Sequence, residues 1–272
     1  MSNVRRVLAL GVALLMALAL AAPALAQGAP EAQVRVAHLA SDAPNVDVSV
    51  NGQPVAALQN VPFGTISSYL PLPAGSQQVT VYPAGDTSQP VIDTPVDLAA
   101  GGAYTIGAVG LVSDGSLRAQ VYQDDLTPPA QGNARLRVVH ASPDAGPVDV
   151  VPAGGAPLVG GLQFPNASPH AQVPAGTYTL NVNAAGTDTM AISVPNATVA
   201  AGGVYSAFAV GTASAGSLNV ILVQDTAATE SLASTGGVSP AWIAATLATM
   251  GVVLSAGVAG SVYALRRIRS EY

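Results

Sequence analysis

The sequence has 272 residues, half of them hydrophobic, with a formal net charge of −6, no cysteine and no lysine. The missing cysteine excludes disulfides and thiolate chemistry, and an acidic, lysine-free chain excludes nucleic-acid binding, which needs clustered basic groups against phosphate. Arg5, Arg6, Arg266, Arg267 and Arg269 flank the two ends, so the middle is more acidic than the total charge states.

The first element, residues 1–26, reads as an export signal. Arg5 and Arg6 precede an apolar run from Val7 to Ala22, and Pro23 then leads into Ala24-Leu25-Ala26, whose small side chains fit a signal-peptidase site. Cleavage is expected after Ala26, and the strongly apolar run favours the general secretory route over twin-arginine export.

Residues 27–226 contain an internal repeat. The stretch VRVAHLASDAPNVDVSV from Val34 aligns with LRVVHASPDAGPVDVVP from Leu136, which places His38 over His140, Asp42 over Asp144 and Asp47 over Asp149. AAGGAYTIGAVG matches AAGGVYSAFAVG, and SLRAQVYQDD matches SLNVILVQDT. Two copies of one module are therefore expected, at 27–126 and 134–226, with a short, stiff linker at 127–133 in which two prolines and a glycine mark the boundary. Within each copy the pattern has period two: Val34, Val36 and His38 alternate with Arg35 and Ala37, and Val46, Val48 and Val50 alternate with Asp47 and Ser49. Asn51-Gly52 is a hairpin cue. The predicted fold is all-β: two tandem immunoglobulin-like β-sandwich modules of roughly seven strands each. Tyr104 and Tyr205, in the repeated Ala-Gly-Gly-x-Tyr, are candidates for tyrosine corners that fasten a loop by the phenol hydroxyl.

The repeated His38, Asp42, Asp47, His140, Asp144 and Asp149 are the candidates for chemistry. They admit three readings: turn latches in which each Asp accepts backbone N–H groups and each His is a half-buried strand residue, a divalent-cation site, or a general base oriented by carboxylate. The latch is preferred, with no metal, no cofactor and no catalytic residue expected. Ser41 and Ser142 are the nearby hydroxyls a nucleophilic mechanism would need. Asp124, Asp125 and Asp225 are expected in solvated turns, and Tyr69, Tyr82, Tyr122 and Tyr178 are the aromatics available to a saccharide-stacking platform.

After a spacer at 227–240, the uncharged stretch 241–265 is long enough for a helix to cross a bilayer core of about 30 Å, and 266–272 forms a basic tail that holds the C-terminus in the cytoplasm. Leu232-Ala233-Ser234-Thr235-Gly236, followed by this apolar stretch and the arginines, resembles a cell-wall sorting signal of the L-A-x-T-G form used by sortases of high-GC Gram-positive bacteria. The resemblance implies that a sortase cysteine attacks the Thr235 carbonyl, releases the part beginning at Gly236 and passes the chain to a wall amine. The commoner form has Pro where Ala233 stands, and a plain single-pass anchor is the alternative.

The paired openings, H-x-S-x-D-A-x-x-V-D-V in the second copy and departing from it as His38-Leu-Ala-Ser-Asp42 in the first, together with the A-G-G-x-Y blocks, resemble bacterial domain-of-unknown-function family 4397, over about Val34 to Asp225. That resemblance implies tandem β-sandwich modules on an exported protein and brings no activity with it. The expectation is a non-catalytic surface protein in the cell wall or plasma membrane, its modules outside, with structural, adhesive or wall-polymer-binding roles. Its expected partners are sortase, peptidoglycan, the membrane through the C-terminal helix, and a surface-protein or glycan ligand. A saccharide-binding module and a His-Asp hydrolase are the alternatives.

Overall fold

A computed structural model describes residues 29–226. The expected signal peptide, sorting motif, membrane helix and basic tail lie outside the described residues, and among the described residues no helix is long and apolar enough to cross a membrane.

The first copy folds as β1 (Glu31–His38), β2 (Val46–Val50), β3 (Gln53–Pro54), β4 (Leu70–Pro73), β5 (Gly75–Pro83), β6 (Ile92–Leu98), β7 (Ala103–Val109) and β8 (Arg118–Asp124), with one 3-10 turn at Ala56–Leu58. The second copy repeats the series as β9 (Asn133–His140), β10 (Val148–Pro152), β11 (Val159–Leu162), β12 (Ala171–Pro174), β13 (Gly176–Ala184), β14 (Met190–Val199), β15 (Val204–Val210) and β16 (Asn219–Thr226). Each copy forms two four-stranded sheets, β4-β1-β7-β8 with β3-β2-β5-β6, and β12-β9-β15-β16 with β11-β10-β13-β14. In each module the first strand runs parallel to the seventh, β1 beside β7 and β9 beside β15, while the other pairs are antiparallel.

Local chemistry accounts for the turns. Asn51 and Gly52 have φ of 50° and 76°, the left-handed pair that a two-residue hairpin loop between β2 and β3 requires, and the Asn51 side chain accepts from Gln78 N at 2.8 Å. Gly110 and Gly211, just past β7 and β15, have φ of 93° and 86°. A Cβ there would stand 2.5 Å and 2.2 Å from the carbonyl oxygens of Ser116 and Ser217, so only glycine fits this repeated turn.

Alternation along the strands sets three apolar layers. Val34, Val48, Val81, Ile92 and Ile106 meet between the two sheets of the first module, and Leu136, Val150, Val182, Val199 and Ala207 meet between those of the second. The third layer joins the modules: Ala37, Leu39, Val109 and Tyr122 pack against Val139, Ala141, Phe208 and Val210. The described chain is thus a stack of four sheets, because β1, β7, β9 and β15 each bury both faces. β7 and β15 are buried at every position, as expected of strands covered on two sides. Placing Arg35 and Ala37 opposite the apolar face correctly divides the strand, but that second face looks into the other module and not into water.

Phe208 is 0 % exposed in the layer between modules. Phe208→Ala is expected to destabilise the chain by about 3–5 kcal/mol, the usual cost of a large buried aromatic. Thermal denaturation checks this, and both modules should lose structure together at the lowered midpoint.

Candidate functional site

The repeated His and Asp residues all act on backbone, and each does so separately. His38 and His140, both 0 % exposed, end β1 and β9. Nε2 of His38 lies 3.0 Å from the carbonyl of Pro44, and Nε2 of His140 lies 2.7 Å from that of Gly146. A carbonyl only accepts, so each Nε2 carries the proton. Nδ1 of His140 accepts from Ser142 N at 3.3 Å. Burial lowers both imidazoles below the ordinary 6.5, against a smaller upward pull from those carbonyls.

Asp42 does not face His38. It accepts from Val112 N and Ser113 N at 2.9 Å each, and Asp144 accepts from Ala213 N and Ser214 N at 2.7 and 2.9 Å, so each clamps the distant turn after β7 or β15. Asp47 accepts from Asn60 N at 2.6 Å and Gly85 N at 2.9 Å, and Asp149 from Gly161 N at 2.7 Å and Gly186 N at 2.8 Å. These N–H groups hold the Asp47 and Asp149 carboxyls below their ordinary value. At Asp42 and Asp144 slight burial pushes upward and the N–H bonds outweigh it. Among the described residues no group of three or more His, Cys, Asp or Glu is placed to hold a metal ion. Ser142 Oγ is buried without a partner and makes no bond to His140. The hydroxyl of Tyr104 accepts from Ala99 N at 3.1 Å and that of Tyr205 from Ala200 N at 2.9 Å, each tying the loop just before its own strand.

The largest concentration of buried polar groups lies between the modules, and the sequence reading misplaces it. Asp124 and Asp225 are not in solvated turns: their side chains are 0 % exposed, beside Arg35 and Arg137 at 2 %. Arg35 of the first module donates through Nη1 to Asp225 of the second at 2.7 Å, and Arg137 of the second donates to Asp124 of the first. Each guanidinium also donates through Nε to the hydroxyl of its own module, Arg35 to Thr105 and Arg137 to Ser206, both at 2.8 Å. Those hydroxyls in turn donate at 2.6 Å to Asp124 and Asp225. Tyr69 adds a 2.6 Å bond to Asp124, and its ring lies under the Arg35 guanidinium at 4.8 Å. Burial, then the Asp124 charge, pushes the Tyr69 phenol up, so it stays a donor. Burial also pushes the Asp225 carboxyl up, but nearby His170, the Arg35 charge and the Ser206 hydroxyl outweigh it and hold it below the ordinary 3.8. Only Asp125 remains at the surface, paired with Arg135 at 2.5 Å.

The aromatics disperse. Tyr122 is 5 % exposed and donates across the module boundary to Pro165 O at 2.7 Å, while Tyr178 packs on the second core. Tyr82 stands on β5 opposite Asp47 of β2, and with Tyr69 in the network the four tyrosines do not assemble a stacking platform. The signal for the network was present in the repeat: Arg35 and Arg137 occupy one repeat position, and Asp124 and Asp225 another.

Arg137→Ala removes the guanidinium that donates to Asp124 and leaves only Arg35 Nε, 3.8 Å away, beside the buried carboxylate, so a loss of about 3–5 kcal/mol in urea denaturation is expected. The pH profile has a defined sign. Because the folded imidazoles titrate below 6.5, the unfolded chain binds protons first, and the stability that His38 and His140 contribute is complete above pH 6.5 and lost as the pH falls below it. The lowered carboxylates, among them Asp42, Asp47, Asp144, Asp149 and Asp225, add a second decline below 3.8. The urea midpoint should be flat above pH 6.5 and fall in these two stages, with His140→Asn reducing the first.

The family model described as Domain of unknown function (DUF4397) matches residues 32–151 and again 137–235. No curated protein matches the sequence. Three solved structures are similar at low level. The Bacillus anthracis TIE protein is 12% identical, with 67% of this chain and 34% of that one covered and a TM-score of 0.22. A leucine-rich repeat protein from Bacteroides thetaiotaomicron is 13% identical, with coverages of 68% and 26% and a TM-score of 0.20. A putative cell adhesion protein from Bacteroides fragilis is 11% identical, with coverages of 71% and 98% and a TM-score of 0.18. The chain thus spans about a third of the first and a quarter of the second, and at these TM-scores nothing about its function follows from them.

Proposed function

The chain belongs to the DUF4397 family, and from that premise we propose that it is a non-catalytic protein of a bacterial surface, with two modules held outside the cell as one rigid body. The observation that carries this reading is the reciprocal Arg35–Asp225 and Arg137–Asp124 exchange, which fastens the copies face to face. Supporting it, His38, His140, Asp42, Asp47, Asp144 and Asp149 all bind backbone, so none of them forms the base-and-nucleophile arrangement a hydrolase needs.

In this reading residues 1–26 direct export and are removed, 241–265 hold the chain in the membrane during processing, and 266–272 stay inside. A sortase then cleaves between Thr235 and Gly236 and joins Thr235 to peptidoglycan. Nine residues lie between Asp225 and Thr235, a reach of at most about 30 Å. The second module therefore stands within or just above the wall, a position suited to holding wall polymer or a neighbouring surface protein and not to a long-reach adhesin.

Mass spectrometry of C-terminal peptides released from muramidase-digested walls tests this directly. A peptide ending at Thr235 and carrying a wall amine is expected. An intact peptide running through Gly236 into the apolar stretch, found only in membranes, would replace wall attachment by a simple membrane tether.

A further inference from the structure

The two modules meet along two seams that the repeat makes equivalent, and the seams differ in chemistry. Ser67 and Ser168 mark the equivalence: each hydroxyl accepts from the first strand of its module, from Val36 N and Val138 N, both at 3.0 Å. On that register Tyr69 corresponds to His170, Ile66 to Ala167, Gln120 to Ile221 and Tyr122 to Val223. The seam lined by Ile66, Tyr69, Ile221 and Val223 is closed, with Ile66, Ile221 and Val223 packed on the layer between modules and the Tyr69 hydroxyl bonded to Asp124. The opposite seam has Gln120, Tyr122, Ala167 and His170 in those places; Tyr122 bridges it at one point by its bond to Pro165 O, and beside that bridge it opens into a cleft of about 500 Å³ between β8 and the segment Asn166–His170. A second cleft of about 450 Å³ adjoins it across that same segment.

The character of the open seam limits what can fill it. Gln120, Gln123 and Asn166 present amides, and the side chains of Gln123 and Asn166 make no hydrogen bond with any described residue. Arg135 is already paired with Asp125, so the cleft has no spare cation for an anionic ligand. His170, its side chain 5 % exposed, lines both clefts, yet its Nε2 is 4.0 Å from Asp225 and without a partner. Where the Tyr69 hydroxyl is bonded to Asp124, His170 at the equivalent position makes no hydrogen bond. The walls mix polar and apolar surface in comparable amounts, and the volume lies within the about 300–1,000 Å³ of ordinary ligand clefts, which gather at domain interfaces. Paired donors and acceptors without net charge match hydroxyl groups, each of which both donates and accepts.

We propose that this seam is a binding groove for a neutral oligosaccharide, recognised through hydrogen bonds from Gln120, Gln123, Asn166 and the Arg135–Asp125 pair and not through aromatic stacking. This deepens the wall-polymer side of the proposed function. Binding is read on purified protein and anchoring on cell walls, so either can fail alone. The full chain in mild detergent is titrated calorimetrically with the N-acetylglucosamine tetramer and with maltotetraose. Saturable binding of one of them, with Kd below about 1 mM, is expected. It should weaken at least tenfold in a Gln120→Ala, Asn166→Ala variant that keeps the parent melting temperature. A second variant, Gln120→Ile with Ala167→Ile and His170→Tyr, copies the closed seam and should abolish binding while remaining folded. No saturable binding of either sugar at concentrations up to about 10 mM, or binding that both variants leave intact, would overturn the proposal.

Discussion

Four buried charges, two cations from one strand position of the repeat and two anions from another, set the arrangement of everything else in the described chain. A guanidinium taken from water without a partner is costly, and each one makes its direct hydrogen bond to a carboxylate of the opposite module. Each module therefore carries one cation and one anion whose counterparts belong to its neighbour. Neither sandwich can leave the other without exposing two apolar faces and breaking both pairs at once. The hydroxyls of Thr105 and Ser206 complete the set by bridging cation and anion within each module, which leaves the network satisfied and gives the interface one register.

The duplication explains why this solution is available. A face that carries both an arginine and an aspartate is complementary to itself under a two-fold rotation, as in a symmetric dimer. Joining two copies in one chain keeps that geometry and frees the halves to diverge. Divergence is visible in paired size changes: Gly107 stands where the second copy has Phe208, and Tyr122 stands where it has Val223. A Cβ on Gly107 would already lie 3.3 Å from the Tyr122 ring. Within each module, then, a large residue on one strand accompanies a small one on the next, and the layer stays filled on both sides.

The period-two pattern of β1 and β9, the Asn51-Gly52 turn and the two-copy organisation are local properties, and the sequence displays them without help from the rest of the chain. The second buried face is not local. Arg35 among valines reads as an exposed residue on a half-buried strand, because its carboxylate lies 190 positions away along the chain. Asp124 and Asp225 misled for the same reason, since an aspartate at a strand end beside glutamine is ordinary surface composition. The legible clue was in β7 and β15, AYTIGAV and VYSAFAV, where small and apolar residues occupy both alternate sets and no charge appears. Such strands ask for cover on both sides. The His and Asp positions were legible as latches, but not which loops they latch: the N–H groups that Asp42 and Asp144 accept belong to turns about 70 residues further on.

The use of arginine inside the structure also changes how the chain meets enzymes that cut after basic residues. Among the described residues, with no lysine, only Arg35, Arg118, Arg135 and Arg137 offer such a bond. Two are sealed between the modules, and Arg118 and Arg135 lie within β8 and β9, whose backbones are held in sheets. A trypsin-like protease has to wait for the sheets to open before it can bind any of these four sites in extended form. The placement of these few cations thus doubles as resistance to digestion.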